Sequence, residues 1–323
     1  MDTVKPGNKY LLPAAAVVIL IIAAAIAGFY LTRGTSSSST NSSDTGSNSV
    51  IRVVAAENFW GSLIAQLGGV HVNVTSIVSD PNADPHEYTT NPATAAAMTN
   101  AKFVIVNGAG YDTWATDVIA SANSQNQVVL NVQQLLNQPL HTNPHFWYSP
   151  YFVNSTVSAM YKDLVKIDPS DQPYFKTQYA SLNASLWSSY MKQEGAIKHQ
   201  FSGAPVAATE DIFLYMANAT GLNVVSPPAF MQAVGEGNDP SAADVAAFQD
   251  LLKGGNSTVR VLVYNEQTVS PLTQSIKSEA TQYQIPVMGV TETVQPPGTT
   301  FQAWMQGEVN DLTNALNAAA LGK

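Results

Sequence analysis

Two histidines in similar settings are the residues of this chain whose types and surroundings best suit chemistry. His86 lies in the sequence Asp-Pro-His-Glu-Tyr and His145 in Asn-Pro-His-Phe-Trp, and the chain contains only five histidines. A proline fixes its own φ and keeps the preceding residue extended, so each imidazole is presented by a stiffened loop. Neutral imidazole is the commonest metal ligand, and a metal site requires rigidly held ligands. The pair therefore predicts a metal site, with two unrelated surface turns as the alternative.

The composition of the 323 residues excludes several classes of site. The chain is 45% hydrophobic and 11% charged, with a net charge of −9. This acidic balance argues against nucleic acid or an anionic membrane surface as a partner and suits the capture of cations. Because there is no cysteine, disulfides, thiolate zinc sites and thiol nucleophiles are excluded. The length is typical of about two domains.

The N-terminal segment predicts export. Two lysines precede an apolar run at residues 11–31, which is long enough for a hydrocarbon core of about 30 Å. The positive charges in front of this run predict a cytoplasmic N-terminus with the rest of the chain outside. We expect residues 1–33 to be a transmembrane anchor and residues 34–50 to be a Ser- and Thr-rich linker. The alternative is a signal segment cleaved near Ala25–Ala27, which would release the protein.

Strand and helix patterns alternate on both sides of one long helical segment. The alternation fills residues 51–168 and resumes over residues 201–323, whereas residues 169–200 show apolar side chains only at helical spacing. Such alternation is typical of parallel sheets flanked by helices. The sequence therefore predicts an α/β protein with two lobes, each a parallel sheet flanked by helices, joined by one long helix.

Four candidate metal ligands follow predicted strands. In open α/β sheets, ligands bind outside the carboxyl ends of the strands. His86 and His145 follow strands of the first lobe, and Glu210 and Glu292 follow strands of the second. Two ligands from each lobe would form a closed site, although the glutamates could instead be solvated or favoured at helix N-termini. We expect the aromatic residues 146–148 to pack between loop and core, with lining of the cleft as the alternative.

Several motifs in a fixed order resemble the zinc/manganese solute-binding proteins of ABC importers. These motifs are Val53-Val-Ala-Ala-Glu-Asn-Phe, Asp84-Pro-His-Glu-Tyr, Val106-Asn-Gly-Ala-Gly-Tyr-Asp-Thr-Trp, Asn143-Pro-His-Phe-Trp, Thr209-Glu-Asp-Ile-Phe-Leu-Tyr, Asp239-Pro-Ser and Tyr264-Asn-Glu. The resemblance extends over roughly residues 51–320. It implies the metal-receptor class of periplasmic-binding-protein-like fold, in which a rigid helix bridges two lobes and a divalent metal lies between them.

The resemblance also implies a role for each candidate ligand. His86 corresponds to the first ligand and His145 to the second. Glu210 stands at the third position, where zinc importers have His and many manganese and iron importers have Glu. Glu292 is the match for the fourth ligand, which is usually Asp. Asn143 replaces an aspartate that is usual beside the second ligand, a change that removes a carboxylate able to orient His145.

Two imidazoles and two carboxylates form a harder donor set than three imidazoles, which favours Mn²⁺ over Zn²⁺, with Fe²⁺ also compatible. The resemblance thus implies a monomeric, non-enzymatic receptor that passes one divalent ion to an ABC permease. Two alternatives remain at this point. One is an extracellular metallohydrolase, although the chain has no His-Glu-x-x-His motif. The other is a surface adhesin of the same fold.

Overall fold

Two parallel sheets of identical topology form the framework of the computed structural model, which describes residues 50–81, 88–122 and 124–321. The first sheet has the order β2-β1-β3-β4, with β1 (Ile51–Glu57), β2 (Val72–Val78), β3 (Phe103–Val106) and β4 (Val128–Asn131). The second has the order β6-β5-β7-β8, with β5 (Pro205–Ala208), β6 (Asn223–Val224), β7 (Leu262–Asn265) and β8 (Val287–Val290). In each sheet the first strand is central and pairs with both the second and the third.

Helices cover both faces of the first sheet. They are α1 (Asn58–Gly68), α2 (Pro92–Asn100), α3 (Thr113–Ala122), α4 (Val132–Leu135) and α5 (Pro150–Ile167). Side chains of a strand alternate between its two faces. Val53 therefore packs in the cluster that contains α1 and α5, whereas Val54 packs in a separate cluster with α2 and α3. The side chain of Asn91 begins α2 by accepting a hydrogen bond from Thr94 N at 3.0 Å, a common role of asparagine at a helix start.

One helical rod connects the two sheets. It consists of α6 (Gln172–Leu186), a π-helical turn (Trp187–Met191) and α7 (Lys192–Phe201). This rod confirms the long helix expected from the sequence. The chain's apolar core runs along it without interruption from first-lobe residues such as Phe59 to second-lobe residues such as Phe213.

The second sheet is covered by α8 (Leu214–Thr220), α9 (Pro228–Gly235), α10 (Ala242–Lys253), α11 (Pro271–Gln282) and α12 (Phe301–Leu321). Helix α9 has no signal in the sequence, because it is short and apolar and no side chain caps its start. The other four helices belong to the strand–helix alternation predicted over residues 201–323. The α/β fold with two lobes and a joining helix is thus confirmed.

The C-terminal segment reaches back to the first lobe. Phe301 N donates to Ser62 Oγ at 2.9 Å, and Gln302 Nε2 donates to Gln66 Oε1 at 2.7 Å. Just before α12, Val294 N donates to Asn58 Oδ1 at 2.9 Å. All three acceptors lie on α1, so the last helix is part of both lobes.

The predicted anchor (residues 1–33) and nearly all of the predicted linker (34–50) lie outside the described residues. In the part of the chain that the structure describes, none of the helices has the length and apolar character needed to cross a membrane. Residues Ser49–Lys323 group into one compact unit. The lobe boundaries at residues 51–168 and 201–323 stay a prediction.

Candidate metal centre

The loops that follow the strands of both sheets meet at one cleft. A cavity of about 470 Å³ opens there, with Tyr111 and His145 on the side of the first lobe and Asp211 and Glu236 on the side of the second. The sequence rule that ligands lie beyond the carboxyl ends of strands holds on both sides of this cleft. Polar groups from two separate sheets therefore converge on one cavity.

His145 is buried and its ring is oriented through Nδ1. The residue is 1% exposed and follows the loop after β4. Asn143 Oδ1 accepts from His145 N at 3.0 Å and lies 2.9 Å from His145 Nδ1, while Asp211 Oδ1 lies 3.3 Å from the same nitrogen. With Nδ1 facing oxygen atoms, the lone pair of the neutral imidazole is on Nε2. That atom lies 4.0 Å from Glu292 Oε2.

Glu292 is fully buried and held by donors from both lobes. Its Oε1 accepts from Asn265 Nδ2 at 2.6 Å and from Thr268 Oγ1 at 3.4 Å. Its Oε2 accepts from Tyr111 OH at 2.7 Å, across the cleft. The backbone is fixed as well, since Gln267 Oε1 accepts from Glu292 N at 2.7 Å. A carboxylate positioned in this way keeps one geometry without a ligand.

The 4.0 Å between His145 Nε2 and Glu292 Oε2 is within the distance that two bonds to one metal ion can span, about 4.2 Å at most. Bonds from a transition metal to imidazole nitrogen and carboxylate oxygen are each about 2.1 Å. A single ion that binds both atoms at a tetrahedral angle would draw them together to about 3.4 Å and so join the first lobe to the second.

Glu210 lies directly beyond β5 and is 1% exposed. Its extended backbone precedes a short 3₁₀ turn, Asp211–Phe213. The Cα of Gly235 at the end of α9 faces this segment, and a methyl group there would lie 3.8 Å from Glu210 Oε2 and 3.4 Å from Asp211 Oδ1. Glycine thus leaves room beside two neighbouring carboxylates.

Aromatic side chains form the back wall of the site. Trp147 stacks on Phe59 with ring centroids 4.0 Å apart, and its ring is 5.1 Å from that of His145. Tyr148 OH donates to the backbone oxygen of Thr291 at 2.7 Å, next to Glu292. Residues 146–148 are all buried in the core, as the packing interpretation predicts, and they also exclude water from one side of His145.

Buried carboxyl groups surround the site. Burial raises the pKa of Asp112 to about 6, although its oxygens accept from the backbone N–H groups of Asn107 and Gly108. Burial, followed by the nearby charge of Asp112, raises the pKa of Glu57 well above its ordinary value. On the other lobe, burial raises the pKa of Glu308 to about 8. These groups hold the loops that carry the site, because Asp112 closes the loop with Tyr111 and Glu308 Oε1 accepts from Thr291 N at 3.1 Å.

The structure brings His145 and Glu292 together, and Asp211, the chain neighbour of Glu210, lines the same cavity. His86 lies outside the described residues, so its place in the site stays a prediction. Among residues 50–81, 88–122 and 124–321, no three histidine or carboxylate side chains are close enough to hold a metal by themselves.

Three residues of the site were not foreseen as such from the sequence: Tyr111, Asp211 and Asn265. Each comes within a few residues of the end of a strand, β3, β5 or β7. Position beyond a strand end was therefore the available signal. It could not single out these three, because tyrosine, aspartate and asparagine are common in ordinary loops.

The two parallel sheets, the long helix and the cleft define the metal-receptor class of two-lobed binding proteins. The sequence model of one family, described as ZnuA, zinc-uptake complex component A, periplasmic, matches residues 53–315. The chain belongs to this family.

Solved structures agree with the fold. The crystal structure of ZnuA superposes with a TM-score of 0.68 at 20% identity, covering 83% of this chain and 99% of that one. The periplasmic zinc-binding protein TroA from Treponema pallidum superposes with a TM-score of 0.65 at 19% identity, covering 82% and 99%.

The sequence relatives align with this chain over only part of their own length. The manganese-binding lipoprotein MntA of Halalkalibacterium halodurans is 25% identical over 57% of this chain and 63% of its own. The metal ABC transporter substrate-binding lipoprotein FimA of Streptococcus parasanguinis is 23% identical over 56% and 62%. The chain therefore spans less than two thirds of each of these relatives.

Proposed function

We propose that this protein is the extracytoplasmic substrate-binding component of an ABC importer for a divalent metal ion. It binds the ion between its lobes and delivers it to a permease in the membrane, without changing it covalently and therefore without acting as an enzyme. The single observation that carries the proposal is the pair His145 Nε2 and Glu292 Oε2, 4.0 Å apart and contributed by different lobes. Membership of the family and the names of its relatives support the same function.

The proposed ligands are His86, His145, Glu210 and Glu292. Both described carboxyl groups are 1% exposed or less, and carboxylate oxygen is a ligand that divalent metal ions accept. The equal mixture of imidazole and carboxylate favours Mn²⁺, with Zn²⁺ or Fe²⁺ as the other candidates. The metallohydrolase and adhesin alternatives receive no support from the relatives.

The proposed location is the outer face of the cell membrane, where the protein is a monomer. Residues 11–31 would anchor it there, or would be removed and leave it secreted. A tether at this position would keep the receptor near its permease, with the Ser- and Thr-rich residues 34–50 between the anchor and the lobes.

Thermal unfolding of the full-length chain with Mn²⁺, Zn²⁺ and Fe²⁺ tests the proposal, together with metal analysis of the purified protein. A ligand that binds only the folded state at 100 times its Kd stabilises it by about 2.7 kcal/mol. For a protein of this size we expect the unfolding midpoint to rise by roughly 5 °C.

The double variant His86→Ala with His145→Ala should abolish the rise. His199→Ala is the matched control, because it removes an exposed imidazole on α7, far along the chain from the cleft. An unchanged midpoint for the wild-type protein with all three metals would overturn the proposed function. An equal loss in the His199→Ala control would show non-specific binding instead.

A further inference from the structure

The amide of Asn143 has only one possible orientation. Its Oδ1 accepts from the backbone N–H of His145 at 3.0 Å, and its Nδ2 donates to the backbone oxygen of Asp211 at 2.6 Å. A backbone N–H is always a donor and a backbone carbonyl is always an acceptor. Exchange of the two amide atoms would break both bonds, so the oxygen must face the ring of His145.

This orientation settles which ring nitrogen of His145 carries the proton. Asn143 Oδ1 lies 2.9 Å from Nδ1, and an amide oxygen can only accept. Asp211 Oδ1 lies 3.3 Å from the same nitrogen and is also an acceptor. Nδ1 therefore donates, and the hydrogen is shared between a neutral amide oxygen and a carboxylate.

The two acceptors belong to different lobes. Asn143 is two residues from His145 and moves with it, whereas Asp211 follows β5 of the second sheet. Asp211 is held near the ring by the bond that Asn143 Nδ2 donates to its backbone oxygen. The carboxylate can reach His145 only while the lobes are together.

We propose that Asp211 is a positioning residue for His145, a second-lobe carboxylate that strengthens a first-lobe metal ligand only when the cleft is closed. A carboxylate that accepts from the distal N–H of a metal-bound imidazole fixes the ring and raises the basicity of the ligating nitrogen. Opening the cleft leaves Asn143 as the acceptor that moves with His145. The affinity of His145 for the ion therefore falls as the lobes separate. Release to a permease is thereby coupled to opening.

The role of Asp211 in metal binding rests on the proposed function, whereas its contact with His145 does not. A first measurement therefore uses no metal. In the full-length chain with ¹⁵N-labelled histidine, NMR should show the His145 hydrogen on Nδ1, shifted downfield by the carboxylate. Asp211→Ala should move this resonance upfield and speed its exchange with water, with Asp211→Asn between the two.

A second measurement uses Mn²⁺ and Zn²⁺ with an excess of chelator. We expect Asp211→Ala to release the ion about 10- to 100-fold faster than the wild type. Glu236→Gln is the matched control, because it removes one negative charge from the exposed wall of the same cavity. In the double variant Asn143→Ala with Asp211→Ala, the increase in the release rate should be smaller than the product of the two single-variant increases, since both residues act on one hydrogen.

An unchanged Nδ1 hydrogen signal in Asp211→Ala overturns the proposal, as does metal release no faster than in Glu236→Gln. A lower unfolding midpoint of the metal-free variant with an unchanged signal would assign Asp211 a structural role only. If the wild type binds no metal, the proposed function fails, while the hydrogen signal still decides whether Asp211 orients His145.

Discussion

The two lobes share one topology and differ sharply in chemistry. Both sheets place their first strand in the centre and their second on the outside. Residues 51–168 contain four of the five histidines, whereas residues 201–323 contain none and carry eleven acidic side chains against four basic ones. The fold thus determines where donors can stand, beyond the strand ends, and the sequence of each lobe determines which kind of donor stands there.

The lobes also hold their donors by different means. In the first lobe, His145 is fixed by a rigid Pro-containing loop, by Asn143 and by the ring of Trp147. In the second lobe, the carboxylate of Glu292 accepts from Asn265 Nδ2 and Thr268 Oγ1, and also from Tyr111 OH of the first lobe. An imidazole needs one acceptor to set its tautomer, whereas a buried carboxylate needs several donors.

Removal of the second-lobe carboxylate gives the largest expected effect. Glu292→Gln keeps the shape and can still accept from Asn265, but it removes the charge that faces His145. We expect metal affinity to fall on the order of 1,000-fold, beyond the 10- to 100-fold typical of groups one step removed from a metal. Isothermal titration with Mn²⁺ measures the change.

Glu266→Gln is the matched control for this variant. Glu266 follows β7 of the same lobe, but its side chain is exposed. An equal loss of affinity in both variants would mean that the overall negative charge of the second lobe attracts the ion, and that the division of ligands between lobes is wrong.

A pH series tests a buried acid that belongs to neither lobe. Glu194 lies on the connecting α7, and burial raises the pKa of its carboxyl from 4.5 to about 8. The folded protein therefore favours the neutral form, so this group's contribution is complete below pH 4.5 and is lost as the pH rises toward 8. We expect the metal-free protein to lose about 2 to 3 kcal/mol between pH 5.5 and 8 through this group.

Glu194→Gln should reduce the loss of stability over this pH range by about the same 2 to 3 kcal/mol, with urea unfolding at each pH as the measurement. Glu236→Gln removes an exposed carboxylate as the control. If Glu194→Gln and the wild type show the same loss of stability with rising pH, the acids of the two lobes, rather than the connecting helix, dominate the pH response.

Replacement of a second-lobe carboxylate by an imidazole should change the preference of the site for one metal ion over another. Glu210→His would give the site three imidazoles and one carboxylate, the softer set. We expect the ratio of Zn²⁺ to Mn²⁺ affinity to rise by about tenfold. Competition between the two ions, read out by the unfolding midpoint, measures this ratio, and an unchanged ratio would show that Glu210 does not contact the ion.

Helix caps in the two lobes give the smallest expected effect. Asn91 caps α2 of the first lobe, and Ser270 Oγ accepts from Thr273 N at 3.1 Å at the start of α11 of the second. Replacement of either by Ala should cost about 1 kcal/mol. Because one core crosses both lobes, each change should lower the same single calorimetric transition. Two transitions, each sensitive to one cap, would show lobes that unfold independently.

The sequence was informative about features that depend only on residues near one another in the chain. Strong signals such as the fully apolar run of β3, the cap at Asn91 and the glycine after α8 predicted elements close to their observed bounds. Position after a strand end led to the prediction that His145, Glu210 and Glu292 meet at one cleft, and the structure brings His145 and Glu292 together. Each of these inferences needs only a segment and its immediate flanks.

Contacts between distant segments were not predictable in the same way. Asp211 reaches His145 only because two sheets face one another, and Tyr111 reaches Glu292 across 181 positions of sequence. The replacement of the usual aspartate by Asn143 suggested a weakened second ligand. The structure instead supplies a carboxylate from the other lobe, a compensation that no local pattern records.

The return of α12 to the first lobe has a consequence for the order of synthesis. A chain emerges from the ribosome N-terminus first, so the strands of the first lobe exist long before residues 301–321. Until then, Ser62 and Gln66 on α1 lack the partners they have in the finished protein. Truncation of the last helix would therefore leave two unfinished lobes rather than one complete lobe and one damaged lobe.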